Sequence, residues 1–246
     1  MDIRQVYMDN GATSLLREEV LEAMMPYLTE KYGNPSSIHS FGREARKAVD
    51  EGREKLAAAL GAEAAEIYFT SGGTESNNLA IRGAARLNGK GHIITSSIEH
   101  HAVLDVCKDL EKDGYRVTYL PVDSDGLVNP RDVEGALETD TFLITVMYAN
   151  NEVGTIQPIE EIGDLARQHK VLFHTDAVQA VGQLPIDLRE LPVDLLTLSA
   201  HKFNGPKGVG ALYVRKGLKI NPVFKGGGQE KKLRPGTENV AGVVGA

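Results

Sequence analysis

Apolar positions recur along the chain with two periods. Residues 16–32 place Val20, Ala23, Met24, Tyr27 and Leu28 at helical spacing, and Gly33-Asn34-Pro35 ends the run. Residues 43–60 repeat that spacing through Ala45, Val49, Gly52, Leu56 and Ala59, with Gly61 as the stop. The pattern then alternates. Short apolar runs at 66–70, 92–95, 116–122, 141–148, 171–175, 194–199 and 210–214 read as strands. Helical stretches at 74–87, 102–112, 130–138 and 159–169 lie between them, the third opening on Pro130.

Strands alternating with helices predict an α/β fold: three layers, α/β/α, around a mostly parallel, doubly wound sheet. Right-handed crossovers bring the C-terminal ends of parallel strands to one edge, where open α/β sheets bind ligands. Polar residues just after each strand are therefore the candidates for chemistry. Composition narrows the classes. Lys plus Arg is 27 against 34 Asp plus Glu, a net charge of −7, which argues against generic binding to nucleic acid or anionic membrane. A single cysteine, Cys107, excludes an internal disulfide framework and a site of several thiolates. The N-terminus lacks a basic start followed by an apolar run, and no segment reads as a membrane span. The expectation is a cytoplasmic protein.

Four polar clusters follow strands. Thr70-Ser71-Gly72-Gly73-Thr74-Glu75-Ser76 links a strand to a helix. Its glycines allow close backbone approach, and the helix start offers free N–H groups, which suits a phosphate. A tight capped turn explains it equally well. In Ser97-Ile98-Glu99-His100-His101, adjacent histidines point apart, so one facing a site is more plausible than a metal pair. Asp176, within Phe173-His174-Thr175-Asp176-Ala177-Val178-Gln179, closes an apolar strand. A carboxylate there needs a cation or strong donors, such as a protonated cofactor ring nitrogen, although Asp also caps helices well. His174 and Asp176 lack a convincing third metal ligand. Lys202, within Ser199-Ala200-His201-Lys202, follows a buried strand; partly desolvated, its amine could be nucleophilic and form a Schiff base. A phosphate cradle, a histidine, a buried Asp and a lysine together match the needs of pyridoxal 5'-phosphate.

At this point the chain resembles the pyridoxal-phosphate-dependent cysteine desulfurases of the class-V aminotransferase family. The resemblance runs through 7–13, 33–37, 70–77, Glu99-His100, Asn150-Asn151-Glu152-Val153-Gly154, 174–179, 199–202, Gly226-Gly227-Gly228-Gln229-Glu230 and Arg234-Pro235-Gly236-Thr237. The last two segments resemble the nitrogen-fixation and housekeeping branch. It implies the large domain of a fold-type-I enzyme. It further implies that Lys202 carries the cofactor in Schiff-base linkage and later moves the Cα proton, while His100 stacks on the ring and assists proton transfer. Asp176 would pair with the ring nitrogen and Gln179 with the phenolate oxygen. Gly73, Thr74, Ser199 and His201 would hold the phosphate, and Asn151 would contact cofactor or substrate. Thr237 would reach the phosphate of the other subunit, which implies a homodimer. The implied substrate is L-cysteine, with sulfur passed through a persulfide to an acceptor protein such as an iron–sulfur scaffold.

Members of that family are longer. They carry a nucleophilic cysteine and a carboxylate-binding arginine in a C-terminal domain, and both are expected beyond residue 246. Val-Ala-Gly-Val-Val-Gly-Ala after Asn239 is an apolar helix start without a stop signal. The expected division is an N-terminal segment of the small domain over 1–14 and the cofactor-binding large domain over 15–246, without the C-terminal small domain. Cys107 matches no family nucleophile and reads as a buried small hydrophobe on an amphipathic helix. These 246 residues alone are thus expected to be inactive in desulfuration. The alternatives are an aminotransferase, a selenocysteine or cysteine-sulfinate lyase of the same fold, or a non-catalytic cofactor- or partner-binding paralogue.

Overall fold

A computed structural model describes residues 4–246, so the first three residues of the expected N-terminal segment lie outside it. The strands are β1 (Ile67–Thr70), β2 (His92–Ser96), β3 (Arg116–Leu120), β4 (Thr141–Thr145), β5 (Leu172–Asp176), β6 (Leu195–Ser199) and β7 (Gly210–Val214). They form one sheet in the order β1-β7-β6-β5-β4-β2-β3. Strands β2 to β6 pair in parallel, whereas β7 runs antiparallel between β6 and β1. The link from Ser199 to Gly210 contains only a short 3-10 turn over Ala200–Lys202. A link without a crossover helix returns the chain antiparallel.

The helices are α1 (Glu18–Thr29), α2 (Ser40–Ala59), α3 (Gly73–Asn88), α4 (His101–Lys112), α5 (Pro130–Gly135), α6 (Ile159–His169) and α7 (Val240–Val244). Neighbouring strand residues bury on opposite sheet faces, which is why the strands are continuously apolar. Ile94, Ile144, Phe173 and Leu196 join the cluster built with Val49 and Leu56 of α2 and Ile162 of α6. Ile93 and Leu143 instead meet Ile81 of α3 and Val103 of α4. Leu195 and Leu212 meet Leu79 of α3. The sheet is therefore the middle of three layers. By the two-residue repeat of a strand, Thr145, His174, Asp176, Thr197 and Ser199 all lie on the α3 face.

Two helices differ from the sequence expectation. Helix α1 has the apolar spacing but buries none of its residues. In α2, Ala59 is exposed while Arg53 is buried. The Arg53 guanidinium grips both Glu230 oxygens at 2.6 and 2.8 Å and reaches the Ile67 carbonyl at 2.7 Å. Glu230 also accepts the Phe69 N–H at 2.9 Å. This pair ties the loop after β7 to β1. No helix among the described residues is long and apolar enough to cross a membrane.

Candidate active site

The C-terminal ends of β1, β2, β4, β5 and β6 meet at a cavity of about 590 Å³. Gly73, Thr74, His100, Asn151, Asp176, Gln179, Ser199, His201 and Lys202 all line it. Thr237 does not; it is exposed on the loop after Glu230. That loop is held by the Arg53–Glu230 pair, by Arg234 Nε on Glu75 at 2.8 Å and by Arg46 on Glu238 at 2.6 Å.

The glycine turn connects β1 to α3. Gly72 has φ of +146°, a conformation that favours glycine. A Cβ on Gly73 would stand 2.7 Å from Val178 Cγ2, so the start of α3 presses against the end of β5. Thr70 Oγ1 and Ser76 Oγ, 2.7 Å apart, pin the turn from below. Free N–H groups at the start of this 16-residue helix are thereby presented to the cavity.

Asp176 ends β5 with both oxygens engaged. Oδ1 accepts the Val178 N–H at 3.0 Å, and Oδ2 accepts Asn77 Nδ2 at 2.6 Å. Burial pushes the carboxyl's pKa up, against those two donors and the charges of His100 and Lys202. Lys202 lies in the 3-10 turn after β6, and its Nζ donates to the Gly11 carbonyl. Burial lowers its pKa, against Asp176 and Asp9, which favours the free amine.

His100 caps α4. Its Nδ1 accepts the Ala102 N–H at 3.0 Å, so the neutral ring carries its proton at Nε2. His101 turns to solvent and approaches Asp105. His201 shares its Nδ1 with Thr13 Oγ1 at 3.1 Å. Asn151 donates to the Glu152 carboxylate at 2.6 Å. His174 sits below the cavity between Thr145 and Thr197 at 2.8 and 3.1 Å, with its pKa pushed down to about 3 by burial.

Several groups at the site had no role assigned from the sequence. Gly11 supplies a carbonyl that Lys202 and Gln179 share, the latter at 2.9 Å. Ser14 bonds the His201 carbonyl through both N–H and hydroxyl, at 2.8 and 2.7 Å, so the N-terminal segment forms one wall. Glu99, next to His100 in the chain, is buried. Its Oε1 accepts from Ser96 Oγ at 2.6 Å and Met147 N–H at 2.8 Å, while Oε2 has no partner. Burial pushes its pKa up to about 8. Asn77 is the fourth group.

Comparison with known proteins then becomes decisive. The model of the aminotransferase class-V family matches residues 6–246. The chain belongs to that family. It is 62% identical to a cysteine desulfurase of Dictyoglomus turgidum over 98% of its own length and 62% of the relative's. It is 60% identical to one from Methanosarcina thermophila, covering 98% of this chain and 60% of that protein. A solved nitrogen-fixation-like protein superposes with a TM-score of 0.96 at 48% identity, over 98% of this chain and 67% of that one. The chain thus spans about three-fifths of the length of these curated relatives.

Class-V aminotransferases and cysteine desulfurases are pyridoxal-phosphate-dependent enzymes. The residues present fit that group. A partly desolvated lysine amine, a buried carboxylate held by donors and a glycine-opened helix start share one cavity of suitable size.

Proposed function

We propose that this chain is the cofactor-binding part of a cysteine desulfurase. The observation that carries the reading is the convergence of Lys202, Asp176 and the Gly72-Gly73-Thr74 turn on one cavity. Bound there, pyridoxal phosphate supplies an aldehyde that condenses with amines and a protonated ring that withdraws electrons from an amino acid's Cα. Lys202 Nζ would hold the aldehyde carbon and move the Cα proton, a task helped by the burial that lowers its pKa. The Asp176 carboxylate would hold a proton at the ring nitrogen. His100 would cover the ring face and move protons at Nε2, its Nδ1 being occupied by α4. Gln179 Nε2, now on the Gly11 carbonyl, would turn to the phenolate oxygen. The N–H groups of Gly73 and Thr74, with Ser199 and His201, would bind the phosphate, and Asn151 would contact the ring or substrate.

In the overall reaction the Cβ–S bond of L-cysteine breaks, sulfur passes to a protein thiolate as a persulfide, and the carbon skeleton leaves as L-alanine. Cys107 does not suit that role. It is fully buried, and burial pushes its thiol up to about 12. The accepting cysteine and the carboxylate-binding arginine are assigned outside these residues. The reading also includes a homodimer in which Thr237 serves the other subunit's phosphate site. An acceptor such as an iron–sulfur scaffold, a cytoplasmic setting and a division at residues 14/15 between a small-domain segment and the large domain complete it. A solved relative at 47% identity is described in complex with cysteine, which supports the choice of substrate.

Borohydride reduction of the cofactor-loaded chain, followed by peptide mapping, tests the site. A pyridoxyl group on Lys202 is the expected result; labelling at Lys207 or at no lysine would overturn it. Incubating the protein that carries the accepting thiol with L-cysteine tests the reaction. Alanine release without a protein persulfide would make it a lyase.

A further inference from the structure

Asn77 and Asn78 are neighbours on α3 with opposite fates. Asn78 is exposed and bonds locally, its Nδ2 donating to the Thr74 carbonyl at 3.0 Å. Asn77 is 1% exposed and crosses from α3 to the sheet, its Nδ2 donating to Asp176 Oδ2 at 2.6 Å. Its other end gains nothing: Asn77 Oδ1 is buried without a partner. An orphaned buried carbonyl costs stability, so an apolar side chain of similar size would satisfy the core better. The one contact that Asn77 makes is with the carboxylate beneath the cavity.

That contact has a direction. An amide N–H stabilises an ionised carboxylate more than a protonated one. The Val178 N–H already occupies Oδ1 at 3.0 Å, so Asn77 completes a pair of donors, one per oxygen. Together they fix the plane of the carboxyl group as well as its charge. Lys202 and His100 are the basic groups facing Asp176 across the cavity, and Glu99 is the nearby acid from the β2–α4 connection.

We propose that Asn77 is a positioning residue that keeps Asp176 anionic and correctly turned, so that the site selects a ligand ring bearing a protonated nitrogen. This rests on the reading of the cavity as a pyridoxal-phosphate site. It adds a residue at the cavity wall that acts through Asp176 and sets whether the ring nitrogen is recognised.

The test compares two ligands on the full chain freed of cofactor: pyridoxal phosphate and its 1-deaza analogue, in which a C–H replaces the ring nitrogen. Dissociation constants are read from absorbance and fluorescence titrations. The wild type is expected to prefer pyridoxal phosphate. Asn77→Leu, matched in size but without the donor, is expected to shrink that preference about tenfold, with affinity for the deaza analogue changed less than about twofold. Asn77→Ala, which introduces no bulk, gives the same comparison should the leucine not be accommodated; circular dichroism verifies folding. A merely structural role would weaken both ligands alike. A folded variant that keeps the wild-type ratio overturns the assignment of Asn77 alone. A wild type that binds both compounds equally overturns the Asp176–ring-nitrogen pairing, and one that binds neither overturns the cofactor reading; the proposal falls with either.

Discussion

Glu99→Gln should stabilise this protein, and by an amount that depends on pH. The Glu99 carboxyl is buried, and its pKa rises from an ordinary 4.5 to about 8. Burial is the leading cause, and the charge of Asp176 adds to it against hydrogen bonds from Ser96 and Met147. Between those two values the unfolded chain is ionised while the folded chain stays protonated. The unfolded state therefore binds fewer protons, and stability is fully present below about pH 4.5, falls with rising pH, and levels off above about pH 8. The slope is about 1.4 kcal/mol per pH unit, so at pH 7 the wild type lies about 3 kcal/mol below its acid-side value through this group. Glutamine is neutral at every pH. Its Oε1 can accept the same bonds that Ser96 Oγ and Met147 N–H make at 2.6 and 2.8 Å. The assay is urea unfolding of both proteins at pH 5.5 and pH 7.5. The advantage of the variant is expected to widen by about 3 kcal/mol across that interval. Comparing two pH values removes any fixed cost of the exchange. An advantage that stays constant would refute the claim that Glu99 is protonated in the folded protein.

Two further outcomes test the interior. The His174 ring, with its pKa near 3, should show no titration between pH 8 and pH 5 by NMR. Because this base is depressed, its contribution is present above about pH 6.5 and lost on acidification, by about 2 kcal/mol between pH 6.5 and pH 5; a ring that titrates near 6.5 would contradict its burial. Glu230→Ala strands the buried Arg53 guanidinium and should cost about 3–5 kcal/mol in unfolding experiments. Adding Arg53→Met should recover most of that loss, and a strictly additive double variant would count against the ion pair.

What could be read from sequence follows from how information is distributed along the chain. Helix α6 and strand β7 coincide with their expected limits because apolar period and end signals are local. Residues after strands could be gathered into one candidate site because parallel strands share an edge; the cavity contains all of the single-chain candidates. The antiparallel direction of β7 was not read from the sequence; it follows from the short, helix-free link before Gly210. Pairings between distant segments were not legible either. Nothing in the run Ser76-Asn77-Asn78 distinguishes the amide that meets Asp176 from the one in solvent. Arg53 occupies a stripe position that Ala59 was expected to share, and its partner lies 177 residues away. Glu99 stands in one of the segments that carry the resemblance, yet only the fold shows that this carboxyl is dry.

The Gly11 carbonyl has a consequence for the order of assembly. It is separated by 191 residues from Lys202 and by 168 from Gln179, and it holds both. These contacts close loops spanning most of the sheet, and such long closures are the slow part of folding. The site wall is therefore completed only when the chain's beginning returns to the turn after β6. Until then the groups that would receive a cofactor exist on separate pieces of chain, and capture of the small molecule becomes a signal that the topology is finished.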